Sequence, residues 1–258
     1  MMEIETTYFK RFLPFIKTLP KSVALQKDDL LHPHFLIERT GDLEMYYAPH
    51  NDVINKRAKI VIVGITPGWR QMQLAFQKAK EQLEQGKSVE QAIIASKYAA
   101  RLSGPMRKNL IAMLDACGVN TLFNLNSCQD LFNMSSDLLH TTSVIKYPVF
   151  YKKRNYTGHN PMIDRSALLR TYAFQVFPNE LKQLDHEFLL IPLGKSVTSI
   201  IQALVATGMI TRDQCLFGFP HPSGANGHRR QQFFEMKNQL LSMVKAFGIK
   251  NGRQGENH

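Results

Sequence analysis

The chain has 258 residues, 44% of them hydrophobic and 21% charged, which is the balance of an ordinary globular protein. That length buries a sizeable core as one decorated α/β domain or as two small domains. The formal net charge of +11 favours polyanions without naming one. The three cysteines, Cys117, Cys128 and Cys215, contain no C-x-x-C pair and cannot supply four thiolates, so an iron–sulfur cluster or a Cys₄ zinc site is excluded.

No apolar run is long enough to span a membrane; Phe188 to Leu193 has the length of a buried strand. The polar, acidic start Met1-Met2-Glu3-Ile4-Glu5 lacks the pattern of a signal peptide, and free thiols suit a reducing compartment, so a cytoplasmic location is expected.

In chain order, Thr7 to Leu19 has the helical spacing of Phe9, Phe12, Phe15 and Ile16, with Pro14 inside it. Phe35–Ile37 and Glu44–Tyr47 flank Thr40-Gly41-Asp42 as a hairpin. Ala58 to Val63 is a β-branched run that predicts a central parallel strand, ending in Gly64-Ile65-Thr66-Pro67-Gly68. Gln71 to Leu102 reads as two helices broken near Gly86, and Met106 to Ala116 as another. Leu138 to Pro148 is a strand with its following loop, and Asp164 to Phe174 a helix beginning on an acid. Glu187 to Leu193 is a second buried strand, Lys195 to Thr207 the helix after it, and Cys215 to Phe219 a last short strand. A helix from Gln231 to Phe247 closes the fold, and 251–258 read as a disordered tail. Alternating strands and helices predict an α/β fold with a central, mostly parallel sheet between helical layers. No linker marks a second domain. The expected organisation is a single domain over 1–250, with its core at about 58–248, an N-terminal helix and hairpin extension over 1–57, and a helical insertion at about 70–102.

Ligands of open parallel sheets bind outside the carboxyl ends of the strands, and two loops of unusual composition follow strands here. The first, Gly64-Ile65-Thr66-Pro67-Gly68, joins glycines to a proline that fixes the turn. The second, Pro220 to Arg229, gathers His221, Ser223, Gly224, Asn226, His228 and Arg229, with His221 pinned between prolines. Basic residues abut both segments: Lys146, Lys152, Lys153 and Arg154 in one stretch, Arg229 and Arg230 in another.

The order of these loops resembles the uracil-DNA glycosylase superfamily, whose signature loops are G-x-x-P-G-like and H-P-S-like. Two segments between them extend the likeness. Thr141-Thr142-Ser143-Val144-Ile145-Lys146-Tyr147-Pro148 looks like the family's middle strand, and Ile191-Pro192-Leu193-Gly194-Lys195 like the turn before its histidine loop. The resemblance covers Ala58 to Arg230. It implies a three-layer sandwich and an enzyme that flips a nucleotide out of DNA and hydrolyses its glycosidic bond. By resemblance, Thr66 takes the water-positioning place and His221 the place that stabilises the departing base. Gly64, Ile65, Pro67, Gly68, Ser143 and Tyr147 line the base. Ser223, Gly224, Asn226, His228, Arg229 and Lys146 meet phosphates. Tyr147, Phe123 and Phe76 are the aromatics available for stacking. No cofactor, metal or membrane is expected; the expected partner is DNA.

Thr66 departs from the Asp or Asn of several branches. A threonine hydroxyl can hold a water but cannot take its proton at neutral pH, a loss commonly worth ~10²–10⁴ in rate. A slow glycosylase, one using another acid or base, and a DNA-binding or sensing module without cleavage all remain open. Ser143, in place of a frequent Asn, similarly loosens the expectation of strict uracil reading. Other chemistries fail on spacing. Gly194-Lys195-Ser196 lacks the first glycine of a P-loop, since position 189 is Leu; His32-Pro33-His34 has no nearby third ligand; and Ser223 lacks the G-x-S-x-G turn of a serine hydrolase.

Overall fold

The computed structural model describes residues 2–20, 24–102, 104–134 and 136–252. The chain is mixed α/β and divides into two compact units, each assembled from three separate stretches. The first comprises Met1–Lys56, Ile65–Arg101 and Thr142–Gln183; the second comprises Arg57–Gly64, Leu102–Thr141 and Leu184–His258. Because the stretches interleave, the boundary leaves no linker in the sequence.

The second unit is built on the β-branched run. Ile60–Gly64 pairs in parallel with Leu189–Pro192, in the register Ile60↔Leu189 to Val63↔Pro192, and its other neighbour is Leu139–Ser143. Ile60, Ile62, Leu189 and Ile191 face one core. They pack with Leu110 and Leu114 of the Pro105–Ala116 helix and with Leu240, Val244 and Phe247 of the Arg229–Lys250 helix. Val61, Val63 and Leu190 alternate to the opposite face and are equally buried, as a strand covered on both sides requires. Cys117 and Cys128 belong to this core, where burial raises their thiols well above the ordinary range, Cys117 to about 12.

The expected strand at Cys215–Phe219 is reduced to one parallel bridge, Cys215 to Leu190, with the Leu216 N–H donating to Leu190 O at 2.8 Å. Gly218 lies at φ +94°, a left-handed turn that extended pairing cannot pass through.

The first unit carries the hairpin, Leu36–Thr40 with Leu43–Tyr46, extended on the Leu43–Tyr46 side by Val149–Tyr151 and Arg154–Asn155 into a four-stranded antiparallel sheet. Lys152 and Lys153, at φ +48° and +61°, make the tight turn of the second hairpin. The Thr7–Thr18 helix runs through Pro14 and buries Phe9, Phe12 and Ile16. Its aromatic core includes Phe12 on Tyr47, with ring centroids 4.6 Å apart, and Phe35 against Phe76 at 4.8 Å.

Trp69–Glu84 and Val89–Ala100 are the two helices broken near Gly86; Ser88 caps the second by accepting from the Gln91 N–H. The helix expected to begin at Asp164 starts instead after Ser166, whose hydroxyl accepts from the Leu169 N–H and so satisfies a first-turn donor. A helical run then continues to Leu181 through a π-type turn at Tyr172–Val176. No described helix is long and apolar enough to cross a membrane.

Candidate functional site

The histidine loop belongs to the second unit and hangs on Gly194. The Leu193 N–H donates to Val63 O, which ties the end of one strand to the next, and the Gly194 N–H donates to Phe219 O at 3.0 Å. Gly194 sits at φ +85° and ψ 172°, a region that essentially only glycine occupies, and a Cβ there would stand 3.1 Å from His221 Cβ. The Leu-Gly pair singled out in the sequence therefore has a physical function: it lets the histidine segment lie directly against the strand end.

The loop is then fastened to itself and to the Pro105–Ala116 helix. Asn109 donates to Pro222 O at 2.9 Å, Asn226 donates to His221 O at 3.2 Å and to Gln232 Oε1 at 3.0 Å, and Arg229 donates to Ser223 O at 2.7 Å. Asn226 thus spends both amide hydrogens, and Arg229 one guanidinium nitrogen, on holding the loop. The Ser223 hydroxyl accepts from the Ala225 N–H at 3.1 Å. Gly224 and His228 are exposed beside them.

His221 itself has a defined state. Its Nδ1 accepts from the Ser223 N–H at 3.2 Å, and burial lowers its pKa below the ordinary 6.5. A neutral imidazole with Nδ1 accepting must carry its proton on Nε2. The loop therefore offers a fixed, uncharged N–H donor at neutral pH, held by its own backbone.

The first loop belongs, from Ile65 onward, to the first unit; Gly64 ends the Ile60–Gly64 strand. Ile65 O accepts from the Ile145 N–H at 3.0 Å. The Thr66 hydroxyl donates to Tyr147 O at 2.8 Å and accepts from the Val149 N–H at 3.0 Å. Its proton is committed, and one lone pair remains. Pro67 is buried, and Gly68, at φ −85°, caps the Trp69–Glu84 helix, its N–H donating to the Gln71 side chain. Ser143 ends its strand half-buried.

Two expected contacts sit deeper than the sequence suggested. Tyr147 is 3% exposed, packs against Tyr8, Tyr47 and Tyr172, and donates its hydroxyl to Asp52 Oδ1 at 2.8 Å. The Lys146 ammonium lies 3.9 Å from Glu180 and 5.9 Å from the Tyr147 ring centroid. Its side chain is only 16% exposed, so it faces a buried carboxylate rather than open solvent. Of the other stacking candidates, Phe76 is fully buried in the aromatic core, and Phe123 packs half-buried against the core of the second unit.

Sequence reasoning missed a buried polar cluster in the first unit. Asp52 accepts from the hydroxyls of both Tyr47, at 2.7 Å, and Tyr147, and burial pushes its carboxyl up to about 6 against those hydrogen bonds. Burial pushes Lys97 down to about 8, opposed by the nearby charge of Glu180. His50 is 4% exposed with neither ring nitrogen hydrogen-bonded among the described residues; burial, then the charge of Lys97, drives it well toward the neutral form. One signal was available: Lys97 and Arg101 follow Ile93 at spacings of four, on the face that buries the Val89–Ala100 helix. Among the described residues no group of His, Cys, Asp and Glu could hold a metal ion.

No family model matches the chain, and no solved structure matches it. It is 46% identical over 246 residues, 95% of each chain, to the uncharacterized protein YoxB of Bacillus subtilis (strain 168). Similarity of that extent and completeness makes the chain a member of the same family as YoxB.

Proposed function

We propose that the chain is a DNA glycosylase with the three-layer sandwich of the uracil-DNA glycosylase superfamily, acting on a uracil or another damaged or modified base. The observation that carries the reading is His221, a neutral imidazole whose Nδ1 is occupied by the Ser223 N–H and whose Nε2–H is thereby the available donor. In the reaction, the bond between the base nitrogen and sugar C1′ breaks with its electron pair going to the base. A water oxygen bonds to C1′, and a water proton ends on the base. Negative charge gathers on the departing base as the bond opens, and a preorganised N–H aimed at its carbonyl oxygen contributes about 3–4 kcal/mol to barrier lowering in comparable sites. A neutral donor suits this role, since its hydrogen bond strengthens as the charge appears.

Thr66 favours a second reading, a DNA-binding or sensing module that does not cut. Its hydroxyl proton is spent on Tyr147 O, so it can accept a hydrogen bond from a water but supplies no base. An excision assay separates the two. End-labelled oligonucleotides carrying uracil, hypoxanthine, xanthine or modified cytosines, in single and double strands, are incubated with wild type and with His221→Ala. Alkali-labile cleavage at one base, lost in the variant, establishes the glycosylase. Salt-sensitive binding without cleavage establishes the binding module, and the absence of both cleavage and binding removes a DNA function altogether.

A further inference from the structure

A groove of about 420 Å³ lies in the second unit between the Pro105–Ala116 helix and the start of the Arg229–Lys250 helix. Arg230, Phe233, Phe234 and Lys237 recur at i, i+3, i+4 and i+7 and so share one face of the longer helix. Phe233 is anchored, its ring 6.1 Å from the buried Phe219 in an edge-on pair. Phe234 is 81% exposed and contributes nothing of that kind to the core. A large aromatic left in water beside cations calls for a ligand with both a π-face and negative charge. No carboxylate lines the groove among the described residues; Glu235, the acid next in sequence, is not part of the lining and takes a hydrogen bond from Gln231.

The groove is continuous with the histidine loop, because two of its lining residues hold that loop in place: Asn109 through Pro222 O and Arg229 through Ser223 O. We infer that this groove binds single-stranded DNA flanking the target nucleotide, with one unstacked base on Phe234 and the phosphates on Arg230 and Lys237. The inference rests on the reading above that the chain acts on DNA. A paired duplex buries the faces of its bases, so the exposed ring selects an unpaired strand. An apolar protein partner gives no account of three lining cations without an acid.

The test is fluorescence anisotropy of the full chain with a short fluorescein-labelled oligothymidylate across a salt series. Phe234→Ala should weaken binding about five- to 150-fold, the range for losing one base–aromatic stack, and Phe234→Trp should restore it. Arg230→Ala and Lys237→Ala should each lower the slope of log affinity against log salt by about 0.7. Melting should stay unchanged for Phe234→Ala because the side chain is exposed. Wild-type affinity in Phe234→Ala and Lys237→Ala overturns the groove while leaving DNA binding elsewhere intact. A Phe234→Ala protein that changes from self-associated to monomeric, with DNA affinity unaltered, overturns it in favour of a protein contact. Wild type that binds no DNA removes the groove and the parent reading together. Weakened binding in the variants, with no excision by wild type, keeps the groove and removes only the glycosylase chemistry.

Discussion

Gly194 stands at φ +85° and ψ 172°, with the place of a Cβ 3.1 Å from His221 Cβ, 3.7 Å from His221 N and 3.8 Å from His221 Cα. Gly194→Ala meets two costs at once. The backbone region is strained for any side chain by about 1–3 kcal/mol. The new methyl also presses on a main-chain-anchored atom, so the His221 segment must retreat by a few tenths of an ångström or the strand end must shift. The smaller unfolded-state entropy of alanine offsets only about 0.4–1 kcal/mol. For a chain of this size 1 kcal/mol moves the melting point by roughly 2–4 °C, so a net fall of about 2–10 °C is expected. Thermal melts of Gly194→Ala beside Gly224→Ala and Gly227→Ala make the comparison. Neither control has a left-handed φ, and neither has anything within 4 Å of an added Cβ, so both should melt with wild type or slightly above. An NMR shift of the His221 ring in Gly194→Ala alone would report the displaced imidazole. A Gly194→Ala protein that melts with wild type and keeps the His221 resonance refutes the argument that glycine is what permits the close approach.

The His221 titration, followed by NMR, should have its midpoint below 6.5, with the proton on Nε2 in the neutral form. Because the folded value is depressed, its contribution to stability is complete above 6.5 and is lost as pH falls; a midpoint at or above 6.5 contradicts the assigned state. Asp52 runs the opposite way: a folded value of about 6 against an ordinary 3.8 means its protonation favours the fold at low pH, an advantage lost as pH rises through 6. Between pH 8 and pH 4, urea titrations should show wild type gaining about 2–3 kcal/mol relative to Asp52→Asn, and a pH-independent difference rejects the raised carboxyl. Thr66→Val orphans Tyr147 O and the Val149 N–H and should cost about 1–3 kcal/mol in urea, whereas Thr66→Ser should recover most of it. Equal losses in the two variants would refute the assignment of the effect to the hydroxyl's two hydrogen bonds.

The elements legible in the sequence were those whose cause is local. The β-branched run at Ile60, the interruption near Gly86 and the spacing of Phe9, Phe12 and Ile16 each carry their own signal, and each element is present. Helix starts were less legible, because Asp164 and Ser166 both qualify as caps and only the hydrogen bond from Leu169 decides. The Cys215–Phe219 strand failed for a similar reason: an apolar composition cannot reveal a left-handed Gly218.

In the candidate site, the composition of the histidine loop was visible, but the allocation of its donors was not. Asn226 and Arg229 read as free polar groups until their partners His221 O, Gln232 and Ser223 O are placed. The partners of Thr66 lie more than eighty positions away, so its role as a fastener could not be read at all. The Asp52, Lys97 and Glu180 cluster was hidden because charged residues are by default assigned to the surface.

The interleaving of the two units also shapes how the chain must be born. The apolar Ile60–Gly64 strand leaves the ribosome early, yet one flank waits for Leu139–Ser143 and the other for Leu189–Pro192, roughly 130 residues later. At about 5–20 residues per second that wait is on the order of ten seconds. Both strand edges lack their sheet partners until Leu139–Ser143 is made, and one edge still lacks its partner until Leu189–Pro192 follows. A nascent chain of this design has a built-in interval in which holding chaperones have something to grip, and truncations that stop before Leu189 would extend that interval indefinitely.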